Sequence, residues 1–382
     1  MRVFIRAGVV LGLVAAAACK ESIAPKSLAN PQQTTAQMNA FDTLFNVPVL
    51  TSFSALSIEM GPQQAAQARI QALRTLAEAT NPLRKQSALR PFAHGYETTR
   101  ILRDLVPTMI NASAEDIFPP DVDGKTFEWD TVANVYLPTA RPGAQPTGAR
   151  FILYAVDPFT GMPNEPLVEV GFVDMIDQST ASVAKLRVLV VGNTAGPVIY
   201  VDYTTTLEAL SESSARIGTA GYVTNGATSP DTLRFTGSLS FGGSATSATL
   251  TQDVSFDVNS HDAHARLWER VTVTSSNANL RIFFLFKHGI ETVTLEGNFD
   301  ADLLGQAIDG SITVKVDGGL FATCEVDASA GTYNLTCEGA DADGLNAAEI
   351  EAIDQIGEAL AGMETIFAGV LNPAVNIFGG SN

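Results

Sequence analysis

The only histidine cluster in this chain is His261-Asp262-Ala263-His264, placed where a turn follows a strand-like run ending at Val258. Two histidines three positions apart can share a metal ion, but a zinc site needs a third protein ligand. The remaining histidines, His94 and His288, lie far off in sequence. A solvated turn accounts for the same four residues, so His261 and His264 are metal candidates without a complete ligand set. Nucleophilic chemistry is short of parts in the same way. No G-x-S-x-G, H-E-x-x-H, phosphate-binding loop or dinucleotide fingerprint occurs. With four histidines and three cysteines in the whole chain, most triads lack a member. No catalytic residue and no cofactor is assigned.

A second oxygen-rich stretch runs Asp341-Ala342-Asp343-Gly344-Leu345-Asn346-Ala347-Ala348-Glu349 and resembles a calcium-binding EF-hand loop. Setting Gly344 on that loop's invariant glycine puts Gly339 at the first ligand position. It also puts Ile350 at the last, where the loop needs Glu. Asp341 and Asp343 are therefore metal candidates of the same incomplete kind. Asn346 followed three residues later by Glu349 also has the form of a helix capping box, which explains the stretch without a metal.

Cys324 and Cys337 read as a disulfide. Leu320, Ala322, Cys324 and Val326 alternate with Phe321, Thr323, Glu325 and Asp327, and side chains alternate faces along a strand. A turn at Ala330-Gly331 puts Cys324 opposite Cys337, Val326 opposite Leu335 and Ala328 opposite Tyr333. The register that pairs the cysteines is thus the register that pairs the apolar residues.

The third cysteine belongs to an address. Arg2 and Arg6 precede an apolar run over 7–18, the n-region and h-region of a signal peptide over 1–18. Leu13-Val14-Ala15-Ala16-Ala17-Ala18-Cys19 resembles the lipobox of bacterial lipoprotein precursors, with Ala16 where Leu or Val is more usual. The resemblance implies a lipid on Cys19, which is also the odd cysteine of an exported chain. Lys20, rather than Asp, follows it. By the best-known sorting rule this implies the outer membrane. Residues 19–36, rich in Ser, Pro, Gln and Thr, read as a flexible tether.

The formal charge is −18, and it is uneven. Residues 20–118 hold 9 Lys/Arg against 8 Asp/Glu, whereas 119–382 hold 12 against 33. Such a surface repels phosphate backbones, so nucleic acid is not an expected partner.

Three kinds of element would carry these features. Residues 37–118 have helical spacing, with Ile70, Leu73, Leu76 and Ala77 on one stripe and Ile101, Leu102, Leu105 and Met109 on another. Residues 119–338 read as short strands between turn-type pairs such as Asn225-Gly226, Gly242-Gly243 and Asp309-Gly310. Leu233, Phe235, Leu239 and Phe241 oppose Arg234, Thr236, Ser238 and Ser240, the pattern of an antiparallel sheet with one wet face. Runs 188–191 and 282–286 are apolar on both faces, as in a strand covered on both sides or lining a cavity. Residues 346–371 read as a helix with Ile353, Leu360 and Phe367 on one stripe, and 372–382 as a tail.

The expected fold is α+β, mostly β. It is a single domain over 37–371, a large curved antiparallel sheet (a meander, open or half-barrel) packed by N-terminal and C-terminal helices. That shape resembles carriers such as lipoprotein-localisation proteins at the level of fold alone. The expected function is a non-catalytic envelope lipoprotein that binds an apolar ligand or an envelope protein. A purely scaffolding lipoprotein and a hydrolase without a recognisable motif are the alternatives.

Overall fold

The computed structural model describes residues 28–29, 49, 52–53, 118 and, short loop stretches aside, 120–353. The strands are β1 (Lys125–Asp130), β2 (Val135–Thr139), β3 (Gly148–Tyr154), β4 (Glu169–Asp177), β5 (Ala184–Gly192), β6 (Val198–Ser211), β7 (Ser214–Thr224) and β8 (Thr232–Gly243). They continue with β9 (Ser247–Val258), β10 (Ala263–Thr274), β11 (Asn277–His288), β12 (Glu291–Asp302), β13 (Ala307–Val316), β14 (Gly319–Ser329) and β15 (Thr332–Gly339). All belong to one 15-stranded sheet with β15 and β2 at its edges. From β3 to β15 each strand pairs antiparallel with the next, so the large curved sheet is an open meander.

One pairing departs from the expected antiparallel pattern. β1 lies between β2 and β3 and runs parallel to β3. A parallel pair needs a crossover. Here β2 supplies it by carrying the chain back along the edge before β3 begins. Pro138 sits on that edge strand, where a missing N–H does not break a ladder.

Alternation builds the core. Phe256 lies between Phe235 and Ala265, and Phe284 between Leu267 and Leu295. Phe286 lies between Ala265 and Val293. All are buried on one face. In β11 the intervening Phe283 and Leu285 are half-buried on the other face, where Phe283 pairs with Trp268. The strand is therefore not fully covered on both sides. β5 comes closer to the expectation: Val188 and Val190 are buried inward, and Val191 is 6% exposed on the opposite face.

Two expected turns are strand. Gly242 and Gly243 end β8, and Asp309 and Gly310 lie inside β13. The turn after β13 is Asp317-Gly318, with φ 45° and 79°, the pattern a two-residue type I′ hairpin requires. A bulge follows, where Val314 pairs with Ala322 and Lys315 with Leu320. Phe321 is the extra residue and is buried, whereas Leu320 is only half-buried beside Lys315. Leu320 therefore does not share the face of Ala322 and Cys324, contrary to strict alternation. Beyond the bulge the hairpin has the expected register. Cys324 faces Cys337, Val326 faces Leu335 and Ala328 faces Tyr333, and the two cysteines are disulfide-bonded.

Outside the sheet, Leu28, Val49, Phe53, Phe118, Val122 and Ala352 join the same buried cluster. Val49, Ser52 and Phe53 are helical, and the Ser52 hydroxyl donates to the Tyr154 carbonyl at 2.6 Å. Leu28 is buried and the Ala29 N–H donates to Glu291 Oε1 at 2.8 Å, so the stretch read as a tether over 19–36 is pinned within its length. The C-terminal helix α1 is described over 347–353. Asn346 Oδ1 accepts from the Ala348 and Glu349 N–H groups, and the Glu349 carboxylate accepts from the Asn346 N–H at 3.0 Å. That is the reciprocal capping box read from the sequence. The helical stripes at 70–77 and 101–109, the helix beyond 353 and the tail lie outside the described residues.

Candidate functional site

The polar groups of the sheet are drawn into cross-strand pairs. Arg150 opposes Asp174 in register and grips both carboxylate oxygens at 2.7 Å. Its guanidinium also stacks 3.8 Å over the Phe172 ring. Asp174 is almost fully buried, and a bidentate fork is the arrangement that makes such burial tolerable. Arg187 holds Asp202 the same way at 2.9 and 2.7 Å, and Arg266 holds Asp253 at 3.0 and 2.8 Å. Hydrogen bonding to those carboxylates, the largest cause in each case, raises both guanidinium pKa values further above their ordinary range. These carboxylates act as partners of arginine rather than as free acid or base groups.

Near the β2 edge, Arg141 bridges Glu128 and Glu169, each at 3.0 Å, and Asn193 donates to Glu169. Hydrogen bonding from the Thr139 side chain is the largest cause that holds the Glu128 carboxyl below its usual range; burial opposes it, and Arg141 adds to the lowering. Tyr136 is half-buried, with its hydroxyl donating to the Ile152 carbonyl at 3.0 Å. Desolvation pushes Tyr136 and the fully buried Tyr203 well above the usual phenol range.

The two candidate metal ligands among the described residues, His264 and Asp341, belong to no metal-holding group. His264 Nδ1 lies 2.8 Å from Asp257 Oδ1 on the solvated face, in direct register. His261 and Asp343 lie outside the described residues, as does Cys19. Asp341 is exposed, and its carbonyl accepts from the Gly344 N–H in a turn. Glu349, which would have to serve a calcium loop, is buried and engaged in the cap. Among the described residues no three His, Cys, Asp or Glu side chains form a group that could hold a metal ion.

One cluster was not legible in advance. His288 Nε2 lies 3.2 Å from Glu291 Oε2 across the β11–β12 turn, both side chains buried, and Glu291 also receives the Ala29 N–H. In sequence His288 looked isolated. The signal for this pair was the two-residue turn Gly289-Ile290, which sets His288 directly opposite Glu291. The cluster's visible work is to hold the N-terminal segment against the sheet.

No family model, no curated protein and no solved structure matches this chain. Among the described residues no helix is long and apolar enough to cross a membrane.

Proposed function

We propose that this chain is an exported, non-catalytic lipoprotein of the cell envelope, anchored through Cys19 to the outer membrane, that binds an apolar ligand or protein partner on the inner face of its sheet. The observation that carries this reading is the division of labour between the two faces. The outer face carries arginine–carboxylate and histidine–carboxylate pairs. The inner face runs as one apolar surface through β9, β10, β11 and β12, from Phe256 to Phe299. An apolar surface of that extent is suited to recognition by shape and desolvation rather than to bond-making. A scaffolding role without a ligand has its own support in the complete burial of Phe256, Phe284 and Phe286, which is how a filled core is built.

Two measurements test the proposal. Membrane fractionation of the native chain and of Cys19→Ser is expected to move the protein from the membrane to the soluble fraction. Equal membrane association of the two would contradict the anchor. Titration of a fluorescent fatty-acid probe into the purified protein is expected to show saturable binding. An absence of binding with intact structure would favour the scaffold.

A further inference from the structure

Of the seven large apolar side chains exposed among the described residues, five stand along one rim of the sheet, whereas Leu137 lies in the middle of β2 and Ile350 on α1. Ile290 is 99% exposed in the β11–β12 turn, and Val132 is 92% exposed in the β1–β2 turn. Met162 and Val168, both exposed, belong to the β3–β4 connection, and the exposed Ile199 is the second residue of β6. All odd-numbered strands of this meander run the same way, β1 included, since it is parallel to β3. The ends of β1, β3, β5 and β11 therefore share one rim, and all five side chains lie along it. The described turns of the opposite rim carry Ser244, Thr246 and Ser276, and no exposed large apolar residue of the described chain lies there.

The turns hold these side chains in place. Asp130 Oδ1 accepts from the Val132 and Ala133 N–H groups at 2.8 and 2.7 Å. Gly289 takes φ 54° at the first position of its two-residue turn, which leaves Ile290 at the tip.

The N-terminal segment reaches the sheet at the same rim. The Ala29 N–H bonds Glu291, the residue directly after Ile290. Cys19 precedes Ala29 by ten residues, and ten residues of chain span at most about 35 Å. The far rim lies about 40 Å away along a strand of this length, so a lipid on Cys19 keeps the Ile290 rim, not the far one, next to the bilayer.

We propose that this rim is the surface on which the protein meets the membrane, with Val132 and Ile290 seated among the lipid headgroups. The proposal rests on the lipid anchor at Cys19. The partner it fits is a zwitterionic bilayer. Asp262 and Asp317 stand on turns of the same rim, and the acidic excess of the chain disfavours anionic headgroups.

The experiment uses the full lipidated chain floated with phosphatidylcholine vesicles that contain brominated lipid. Ile290→Trp and Val132→Trp are compared with Ser276→Trp on the far rim, each read as fluorescence added to that of the native protein. The account expects flotation, with quenching at 290 and 132 at least about twofold stronger than at 276, because interfacial tryptophans lie at headgroup depth. Flotation with equal quenching at all three sites would overturn the rim inference and leave the anchor standing. Failure of the native protein to float would remove the anchor and the rim inference together.

Discussion

Replacing Gly310 by alanine should destabilise the sheet, because the Phe299 ring lies over it. Gly310 is directly opposite Phe299 in the β12–β13 register. A Cβ added there would collide with Cδ1 of that ring and stand 2.8 Å from the Asn298 carbonyl oxygen. The other edge of the ring lies over Gly297, where an added Cβ would likewise stand 2.7 Å from Cε2. Phe299 is only 2% exposed. Overpacking of this kind costs about 1–3 kcal/mol, and Phe299→Ala alone should cost about 3–5 kcal/mol. With the ring removed, the clash with the ring disappears and the 2.8 Å contact with the Asn298 carbonyl oxygen remains. Gly310→Ala in the Phe299→Ala background should then cost less than in the native background, a coupling of roughly 1–2 kcal/mol. Gly242 is the control, since a Cβ there meets nothing within 4 Å. Urea unfolding at constant m reads all four variants. Strict additivity of Gly310 and Phe299, or a Gly310→Ala variant as neutral as Gly242→Ala, would refute the reasoning.

Other expectations follow from single contacts. The Cys324–Cys337 bond has a sequence separation of 13, and closing a loop of that size stabilises by about 3 kcal/mol. Cys324→Ala with Cys337→Ala should lower stability by that order, and peptide mapping under non-reducing conditions that finds two free thiols would contradict the bond. Asn346→Ala removes the acceptor for two helix N–H groups and should cost about 1 kcal/mol; an unchanged denaturation curve would contradict the cap. Tyr136 and Tyr203 have raised folded pKa values. Their contribution to stability is complete below the unfolded value of about 10 and is lost as pH climbs through the folded values. Phenolate absorbance should therefore show these two tyrosines ionising only as the sheet opens, and full titration of all seven in a folded protein would count against their burial.

Much of the sheet was legible because period-two alternation is a direct consequence of strand geometry. The hairpin of β14 and β15 is the clearest case: two cysteines and the apolar pattern demanded the same register, and the strands adopt it. The capping box at Asn346 and Glu349 was equally readable, because its hydrogen bonds are local. Long-range contacts hid the rest. Asp309-Gly310 looks like a turn in isolation, and only the Phe299 ring explains a glycine inside β13. The bulge that separates Leu320 from Ala322 leaves no mark in the alternation before the partner strand is known. β7 has a weak pattern of its own, because Ser, Ala and Gly fill much of it and β propensity is weak there. The rim residues were invisible for a different reason. A single Ile or Val in a turn carries no periodicity, and its meaning appears only when the topology gathers several turns at one end.

The central claim is that an anchored sheet uses its apolar face to hold something apolar. Native mass spectrometry of the full chain, purified in mild detergent, tests it most directly. The account predicts a population heavier than the anchored polypeptide by the mass of a bound lipid or apolar molecule, released on activation. A single species at the mass of the anchored chain, with nothing released, would contradict it.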